Sequence, residues 1–268
     1  MPGPIGLLIP LEGEHFPPGV SSFDSRPIFP EWGPQWYWIN NHLVEAIIGA
    51  VLVIAFWLWM AHGQRVVPGK KQFLGELAYN LVRNSVARDI LGHDYRKYLP
   101  YLLALFSFIL VNNLFGEFFL FMFPTFSKIG YTWGLALCSW ILYNGAGIKK
   151  YGAFGYLRRA TLPEGVPPLL WPLIIPLEFL SNFIVRPITL ALRLFANLFA
   201  GHLVVLVFIL GGTLLLQSGQ IGLAAAGGVS LTFSLAILAL EIFVGFLQAY
   251  IFTVLTAQYV SSAIAEEH

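Results

Sequence analysis

The chain contains little charge and almost no cysteine. Only 11% of its 268 residues are charged and a single one is cysteine, whereas 57% are hydrophobic. A soluble domain averages about 25% charged residues, so this chain has too few polar groups to cover its surface in water. One cysteine excludes an internal disulfide. The composition therefore predicts a membrane protein whose surface is partly covered by lipid.

The signatures of several binding functions are also missing. The net charge of +1 gives no basic footprint, so we expect no nucleic-acid partner. The sequence has no glycine-rich phosphate loop and no histidine or cysteine cluster with metal-ligand spacing. We therefore expect no cofactor and no metal. Residues 1–41 lack the basic start and apolar core of a signal peptide, and we interpret them as an extracytoplasmic arm.

Long apolar runs dominate the rest of the chain. The first, residues 43–61, is followed by Arg65, Lys70 and Lys71, which places the amino terminus outside because basic residues favour the cytoplasmic side. Residues 70–98 are too polar to span and have apolar residues near helical spacing, which predicts an amphipathic helix on the inner surface. The further predicted spans are residues 99–122, 129–146, 177–216 and 229–264.

These runs predict an all-α integral membrane protein with about five crossings, and residues 42–268 form one membrane domain. The last two runs have roughly 40 and 35 residues, whereas a perpendicular span needs about 20. We therefore expect two overlong, strongly tilted or broken helices, joined by a glycine-rich turn at residues 217–228. The pair, residues 177–264, carries most of the polar residues found inside apolar sequence, and we interpret it as an ion path.

Arg193 is the least expected of these polar residues. A guanidinium stays protonated, and placing it at mid-membrane costs from about 3 to more than 10 kcal/mol. Arg186 and Asn197 fall on nearly the same helical face, and Arg186 suits a structural role as well as a functional one. His202 is nine residues beyond Arg193, about 180° around the helix, so the two side chains cannot pair directly on one straight helix.

Carboxylates accompany these residues. Glu241 lies deep in the last run and shares a helical face with Gln248, where a carboxyl group is suited to relaying protons. Glu117 in the second span is a weaker candidate because its position also allows it to reach the outer surface. Near the start of the fourth span stands a smaller polar group, which comprises Glu178, Ser181 and Asn182. Titratable groups beside a permanent cation are the parts of an ion path.

The stretches "RPITLALRLFANLFAGHL" and "LEIFVGFLQAYIFTVLTAQYV" resemble subunit a of the rotary F-type ATP synthase membrane sector. The upstream "NNLFGEFF" and the five-span layout support the same resemblance. It implies a non-catalytic subunit that packs beside the ring of c subunits and near the peripheral-stalk b subunits. It also implies two offset aqueous half-channels, with Arg193 facing the essential carboxylate of each passing c subunit.

The resemblance also implies roles for the other polar residues. His202 and Glu241 match the two positions near the outer half-channel, with the acid and the imidazole exchanged relative to many bacterial and plastid relatives. Asn197 matches the asparagine of the arginine motif, and Gln248 matches a glutamine that faces the arginine. Glu178, Ser181 and Asn182 are then the lining of the inner half-channel.

Two other functions stay open at this stage. A stand-alone channel or secondary transporter would use Arg193 to bind an anionic substrate, although no internal repeat supports a transporter. A structural anchor would use the same polar residues to hold helices together. The predicted location is a bacterial plasma membrane, with the mitochondrial inner membrane as the alternative. The sequence does not decide between H⁺ and Na⁺.

Overall fold

A computed structural model describes residues 17–19, 27, 33, 36, 38–62, 69–117, 125–162 and 167–265. From Asn41 onward nearly all of these residues are helical, and within the described part the only β pairing is an isolated bridge between Pro27 and Asn40. The predicted all-α class is confirmed. Most of the predicted arm, residues 1–41, lies outside the described residues, and so do residues 118–122 of the second predicted span.

Nine α-helices follow one another along the described chain. Short π-helical or 3₁₀ segments join several of them, at Arg83–Arg88, Gly92–Asp94, Thr125–Ser127, Pro168–Leu170 and Leu180–Val185. The α-helices are α1 (Asn41–Ala61), α2 (Lys70–Val82), α3 (Asp89–Leu91), α4 (Tyr95–Glu117), α5 (Ile129–Tyr151), α6 (Ala153–Thr161), α7 (Trp171–Phe179), α8 (Arg186–Leu216) and α9 (Ile221–Ile264).

Four continuous helical segments of the described chain are long and apolar enough to cross a membrane: Asn41–Ala61, Lys70–Glu117, Pro168–Leu216 and Ile221–Ile264. The predicted third span corresponds to α5, which has 23 residues, carries Lys149 and Lys150 in its last turn and does not belong to this set. An integral membrane protein is confirmed, whereas the number of five crossings stays a prediction.

The amphipathic region and the second span meet at a short 3₁₀ turn, Gly92–Asp94, within this continuous helical segment. Gly92 has a φ of 55°, a conformation that glycine adopts without the steric penalty of a side chain, and α4 begins three residues later, at Tyr95. The predicted span therefore starts four residues earlier than expected. On α2, Phe73, Leu74 and Leu77 are exposed, as expected for a helix whose apolar face lies on lipid.

The two overlong helices are longer than predicted. Helical structure begins at Pro168 rather than residue 177 and continues to Leu216 through the π-helical segment Leu180–Val185, and α9 has 44 residues. The predicted turn at residues 217–228 is wrong, because the turn occupies only residues 217–220 and Gly219 takes its positive φ of 72°. Alanine-rich sequence after Gln220 favours helix, so the remaining glycines are incorporated into α9.

The chain forms two compact units, each assembled from three stretches. The first comprises Met1–Phe56, Ser107–Lys128 and Phe195–Ala249, and the second comprises Trp57–Phe106, Ile129–Leu194 and Tyr250–His268. Each unit has its own buried polar residues, which form the two regions described below.

Candidate functional site

The first unit brings together three titratable side chains from three different helices. Glu117 ends α4, His202 lies in α8 and Glu241 lies in α9, and one ligand atom from each falls within 4.8 Å of the others. His202 Nε2 and Glu117 Oε1 are 3.5 Å apart. We call these residues the three-helix cluster. The sequence weighed Glu117 as a weak candidate, and the structure places it beside the two residues that the family resemblance singled out.

The three-helix cluster is buried but incompletely hydrogen-bonded. The side chains of His202 and Glu117 are only 10% and 5% exposed, and Glu241 is buried. Among the described residues, Glu117 Oε1 has no hydrogen-bond partner and His202 Nε2 has none of normal geometry, although the Gly116 backbone lies beside the His202 ring. Buried polar atoms are nearly always paired, so unpaired atoms that face one another indicate a place for an exchangeable proton, water or ion.

The tautomer of His202 follows from its contact within α8. Nδ1 lies 2.9 Å from the Leu198 carbonyl oxygen, one turn earlier. A carbonyl oxygen only accepts hydrogen bonds, so Nδ1 carries a proton and donates it. In the neutral ring Nε2 therefore presents a lone pair toward Glu117.

A buried amide sets the register of α4 against α9. Asn113 Nδ2 donates to the Gly245 carbonyl oxygen at 2.8 Å. Asn113 lies one turn before Glu117, and Gly245 lies one turn after Glu241, as expected for antiparallel helices in register. The hydrogen bond therefore holds the two carboxylates at the same level.

Gly201 makes room for Glu241. A Cβ atom added at Gly201 would collide with the carboxylate of Glu241, so this position in α8 accepts no side chain while Glu241 keeps its place. A second contact joins α8 and α9 nearer the turn between them, where Ser230 Oγ donates to the Phe208 carbonyl oxygen at 2.8 Å. The sequence analysis did not identify Gly201, although its position directly before His202 was the available signal.

Two further buried groups in the first unit were also missed. His42 and Glu45, in the first turns of α1, are 0% and 6% exposed. Glu45 Oε2 has no hydrogen-bond partner among the described residues. Gly49, one turn after Glu45, approaches α4 so closely that an added Cβ would lie 2.7 Å from Asn112 Nδ2. A histidine and a glutamate three residues apart at the start of an apolar run were the signal in the sequence.

Asn197 and Gln248 also belong to the first unit. Asn197 is half-buried, Gln248 is 5% exposed, and the side-chain nitrogen of each lacks a hydrogen-bond partner within the described chain. Each helix therefore carries an amide nitrogen with unused hydrogen-bonding capacity in an otherwise apolar sequence, which agrees with polar lining.

Arg193 belongs to the second unit and is exposed on α8. Within the ranges that the structure describes, no hydrogen bond or ion pair reaches its guanidinium. Leu192, directly before Arg193, is also exposed, and the other exposed positions nearby on α8 recur every three or four residues, at Thr189, Ala196, Ala200 and Val204. Arg193 therefore stands in an exposed stripe that contains small residues.

The second unit contains a contrasting set of polar residues, which we call the tyrosine network. Its members join α5, α6 and the π-helical segment through hydrogen bonds of 2.6–3.2 Å. The bonds run from Tyr143 to the Asn182 carbonyl, from Tyr156 to Asn144, and from Asn182 Nδ2 to the Ala160 carbonyl and to Glu178.

The remaining predicted site residues lie in or near this network. Glu178 is half-buried and accepts from Asn182 at 3.2 Å, and Ser181 is exposed. The Arg186 guanidinium lies over the Tyr259 ring, 5.0 Å from its centroid, a cation–π contact that agrees with its structural interpretation. In α6, burial raises the pKa of Tyr156, and the nearby charge of Arg186 lowers it to a smaller extent.

Comparisons with known proteins agree with these features. A family model described as ATP synthase A chain matches residues 43–261. A protein named ATP synthase subunit a from Nocardioides sp. is 44% identical over 265 residues and covers 96% of each chain. Its counterpart from Pseudarthrobacter chlorophenolicus is 41% identical over 98% of this chain and 100% of its own length. One from Streptomyces lividans is 34% identical, over 96% and 91%.

The family match covers most of the chain, and the similar proteins span nearly its full length. Those proteins come from bacteria, and the described helices are long and apolar enough to cross a membrane. The chain therefore belongs to the ATP synthase subunit a family and is a non-catalytic, integral protein of the ATP synthase membrane sector in a bacterial plasma membrane.

Proposed function

We propose that the chain is the proton-translocating stator subunit that faces the rotating ring of c subunits. Two offset half-channels carry protons to and from the ring, one from each side of the membrane. The observation that carries the proposal is Arg193, an exposed cation in a 31-residue apolar helix that has no partner among the described residues.

The free-energy cost of holding Arg193 at membrane depth is the physical argument for a partner on another chain. An unpaired guanidinium at membrane depth is unfavourable by several kcal/mol, and a carboxylate on a passing c subunit would compensate it. The cation favours the ionised form of that carboxyl group, so the proton leaves as the group arrives. Because the guanidinium itself stays charged, it also repels protons and prevents direct leakage between the half-channels.

The three-helix cluster supports the outer half-channel. An imidazole with a free lone pair between two carboxylates accepts and releases protons without a large rearrangement. The atoms involved lie within 4.8 Å, close enough for transfer directly or through one water molecule. Glu117 is therefore added to His202 and Glu241 as a relay residue.

The inner half-channel is assigned to Glu178, Ser181 and Asn182, with Asn197 and Gln248 lining the path near the arginine. Glu178 and Ser181 retain partly or fully exposed surface, as lining residues require. Each proton that crosses contributes about 2.3 kcal/mol per 100 mV of membrane potential. The ring delivers this free energy to the catalytic head as torque.

The partners follow from this assignment. The exposed stripe that contains Arg193, Ala196 and Ala200 faces the c ring, because small residues allow a close approach of a rotating surface. The peripheral-stalk b subunits hold the chain against rotation. Residues 1–41 form an extracytoplasmic arm, and residues 42–268 form the membrane domain.

The test replaces Arg193 in the intact complex. In Arg193→Lys, we expect ATP synthesis driven by an imposed proton gradient to fall at least about a hundredfold with normal assembly, because a lysine can lose its proton and lacks the planar fork. Arg158→Lys makes the same chemical change at an exposed arginine of α6 and should leave synthesis unchanged.

Two results would overturn the proposal. Tolerance of Arg193→Gln would favour a structural anchor. Uptake of an anionic solute into vesicles that contain this chain alone would favour a secondary transporter. Co-purification with a ring of small helical-hairpin proteins is the supporting outcome.

A further inference from the structure

We propose that a groove in the second unit binds the phosphate headgroup and one acyl chain of an anionic phospholipid from the inner leaflet. The groove is built by the end of α1, by α2, by the π-helical segment Arg83–Arg88 and by the start of α4. We call it the arginine groove. Its predicted position at the inner surface rests on the basic residues that follow the first span, and the proposal does not depend on the proposed proton path.

Three arginines line the cationic end of the arginine groove. Arg83, Arg88 and Arg96 border a cavity of about 630 Å³, together with Gly92, His93 and Tyr95. Asp89 and Asp94 belong to the same stretch of chain but do not line this cavity. Among the described residues, no carboxylate forms an ion pair with any of the three arginines. Three cations around one cavity favour a phosphate group, which a guanidinium binds through two parallel hydrogen bonds.

The π-helical segment brings two of these arginines to one side of the chain. In an α-helix, residues five apart point about 140° away from each other. In a π-helix the hydrogen bonds run between residues five apart, so positions 83 and 88 come to lie on nearly the same side. Such turns are rare and occur frequently at functional sites. The unusual backbone therefore places a pair of guanidinium groups at one cavity.

Aromatic rings hold the arginine side chains without neutralising them. Arg96 Nε donates to the Tyr95 hydroxyl at 3.3 Å. The Arg83 guanidinium lies 5.9 Å from the centroid of the Tyr79 ring, a cation–π contact. A guanidinium has five N–H donors, so donors remain available for a ligand beside these contacts. Side chains that are already positioned lose less conformational freedom when an anion binds.

A mostly apolar cavity continues from the cationic end. Arg83, Tyr95 and Arg96 also border a second cavity of about 520 Å³. The other walls of this second cavity are Tyr79, Leu99, Pro100 and Leu103. The headgroup end and an apolar wall are therefore adjacent, as a lipid molecule requires.

A third cavity extends the apolar part toward α1. It has a volume of about 580 Å³, shares Tyr79 and Leu103 with the second cavity, and lies against Trp57 and Met60. Glu76 also borders it and accepts a hydrogen bond from Gln72 at 2.7 Å. This carboxylate lines neither of the two cavities that the arginines border, so the groove has a cationic end and a separate end for a chain.

The combined chemistry selects a phospholipid over a free anion. Free phosphate would use the cationic end alone, whereas a phospholipid also covers the apolar walls. The exposed Phe73, Leu74 and Leu77 of α2 are suited to contact with lipid, so the ligand is present at high concentration beside the groove. Basic pockets between membrane helices on the cytoplasmic side are suited to anionic headgroups.

The test photolabels the intact complex in phosphatidylcholine vesicles. The vesicles contain a minor fraction of phosphatidylglycerol with a diazirine in one acyl chain, or of phosphatidylcholine with the same diazirine chain. After illumination and digestion, mass spectrometry measures the label on residues 57–103 relative to the label on the rest of the chain. We expect this ratio to be at least about tenfold higher for phosphatidylglycerol, because each arginine near an anionic headgroup contributes about fivefold in affinity.

Variants locate the binding to the arginines. Arg83→Gln combined with Arg88→Gln should lower the phosphatidylglycerol ratio by at least about tenfold. Lys149→Gln combined with Arg158→Gln removes the same charge from exposed positions of α5 and α6 and should leave the ratio unchanged. If the first pair fails to assemble, Arg88→Gln alone, at an exposed position, should lower the ratio about fivefold, and Arg88→Lys should retain most of it.

Three results would overturn the proposal. Equal ratios for the two lipids would show ordinary lipid contact, or a groove that another subunit covers. A ratio that is unchanged when Arg83 and Arg88 are both replaced would show that the arginines do not bind the headgroup. Loss of the label on adding millimolar inorganic phosphate would show a site for free phosphate. Because the readout is binding and not ATP synthesis, each of these results leaves the proposed role of Arg193 standing.

Discussion

The three-helix cluster and the tyrosine network are both buried groups of polar side chains in apolar helices, yet they differ in how completely they are paired. In the tyrosine network, Tyr143, Tyr156 and Asn182 each donate to a defined acceptor at 2.6–3.2 Å. In the three-helix cluster, His202 Nε2 and Glu117 Oε1 face each other at 3.5 Å without a hydrogen bond. Within the described residues, the donors of the tyrosine network are all paired and its one unpaired buried atom is the acceptor Asn182 Oδ1. Paired donors hold helices together, whereas the unpaired facing atoms of the three-helix cluster keep capacity for a moving proton or a bound ion.

The two groups also differ in chemical type. The donors of the tyrosine network are two phenols and an amide, which remain neutral near pH 7. The three-helix cluster consists of two carboxyl groups and an imidazole, which titrate near physiological pH or can be shifted into that range. We therefore infer that the tyrosine network fixes the fold and that the three-helix cluster transfers protons.

Within this comparison, the largest effect is expected from His202→Ala and Glu117→Gln. Each should lower gradient-driven ATP synthesis by at least about tenfold, because removing a positioned proton-transfer group typically costs 10²–10⁴ in rate and water can replace part of it. Assembly of the complex, followed by native gel electrophoresis, should persist. Wild-type rates in both variants would remove the distinction between the two groups.

Gly201→Ala should have a smaller effect. The added methyl group collides with the Glu241 carboxylate, so Glu241 must leave its position while all three titratable groups remain present. We expect synthesis to fall severalfold, measured in the same vesicles. Gly134→Ala adds the same methyl group at an exposed glycine of α5, where nothing lies within 4 Å of the added Cβ, and should leave synthesis unchanged. A full rate in Gly201→Ala would show that relay does not need this geometry.

Asn113→Ala tests the register between α4 and α9. Loss of the 2.8 Å hydrogen bond to the Gly245 carbonyl should destabilise the protein by about 0.6 kcal/mol, the average measured for hydrogen bonds between membrane helices, and by no more than about 1.7 kcal/mol. A modest loss of ATP synthesis should accompany this destabilisation, because Glu117 and Glu241 are then no longer held at the same height along α4 and α9. A thermal melt of the complex measures the first effect, and a melt that is unchanged would contradict the structural role.

Tyr156→Phe should have the smallest effect and should act on stability alone. It removes the hydrogen bond to Asn144, with an expected cost of about 1 kcal/mol. Burial raises the pKa of Tyr156, so the folded state holds this proton more tightly than the unfolded chain does. Its contribution is therefore present below about pH 10 and is lost only as the pH rises above that value.

Thermal melts of Tyr156→Phe and wild type at pH 6 and pH 9 provide the measurement. The difference between the two proteins should be the same at both values, since Tyr156 stays protonated throughout. A difference that grows between pH 6 and pH 9 would show that the tyrosine network titrates as the three-helix cluster is expected to.

Much of the architecture could be predicted because it depends on local pattern. Apolar runs of the length of residues 43–61 and 177–216 predict membrane helices whatever they pack against. The errors fall at boundaries, such as the predicted turn at residues 217–228, where the glycines of the alanine-rich stretch 221–228 look like a loop but belong to α9. Local propensity there is too weak to place an end within a few residues.

The residues of the candidate site also differ in whether local sequence alone could identify them. Arg193 was evident from the sequence because a permanent charge in an apolar helix has a large cost regardless of its neighbours. Glu117 was undervalued, and Gly201, His42 and Glu45 were missed, because the importance of each depends on another helix. The spacing of residues 117, 202 and 241 is unlike any local metal or relay motif, so no window of sequence contains the cluster.

The sequence by itself determined that this protein is a bundle of membrane helices with a fixed cation in its longest apolar run, since composition and periodicity act over one helix at a time. Only the tertiary structure decided which acids meet His202 and which polar groups are already paired. The contacts of the three-helix cluster and of Asn113 with Gly245 join positions 39 to 132 residues apart, and their distances depend on how antiparallel helices align rather than on any property of a single segment.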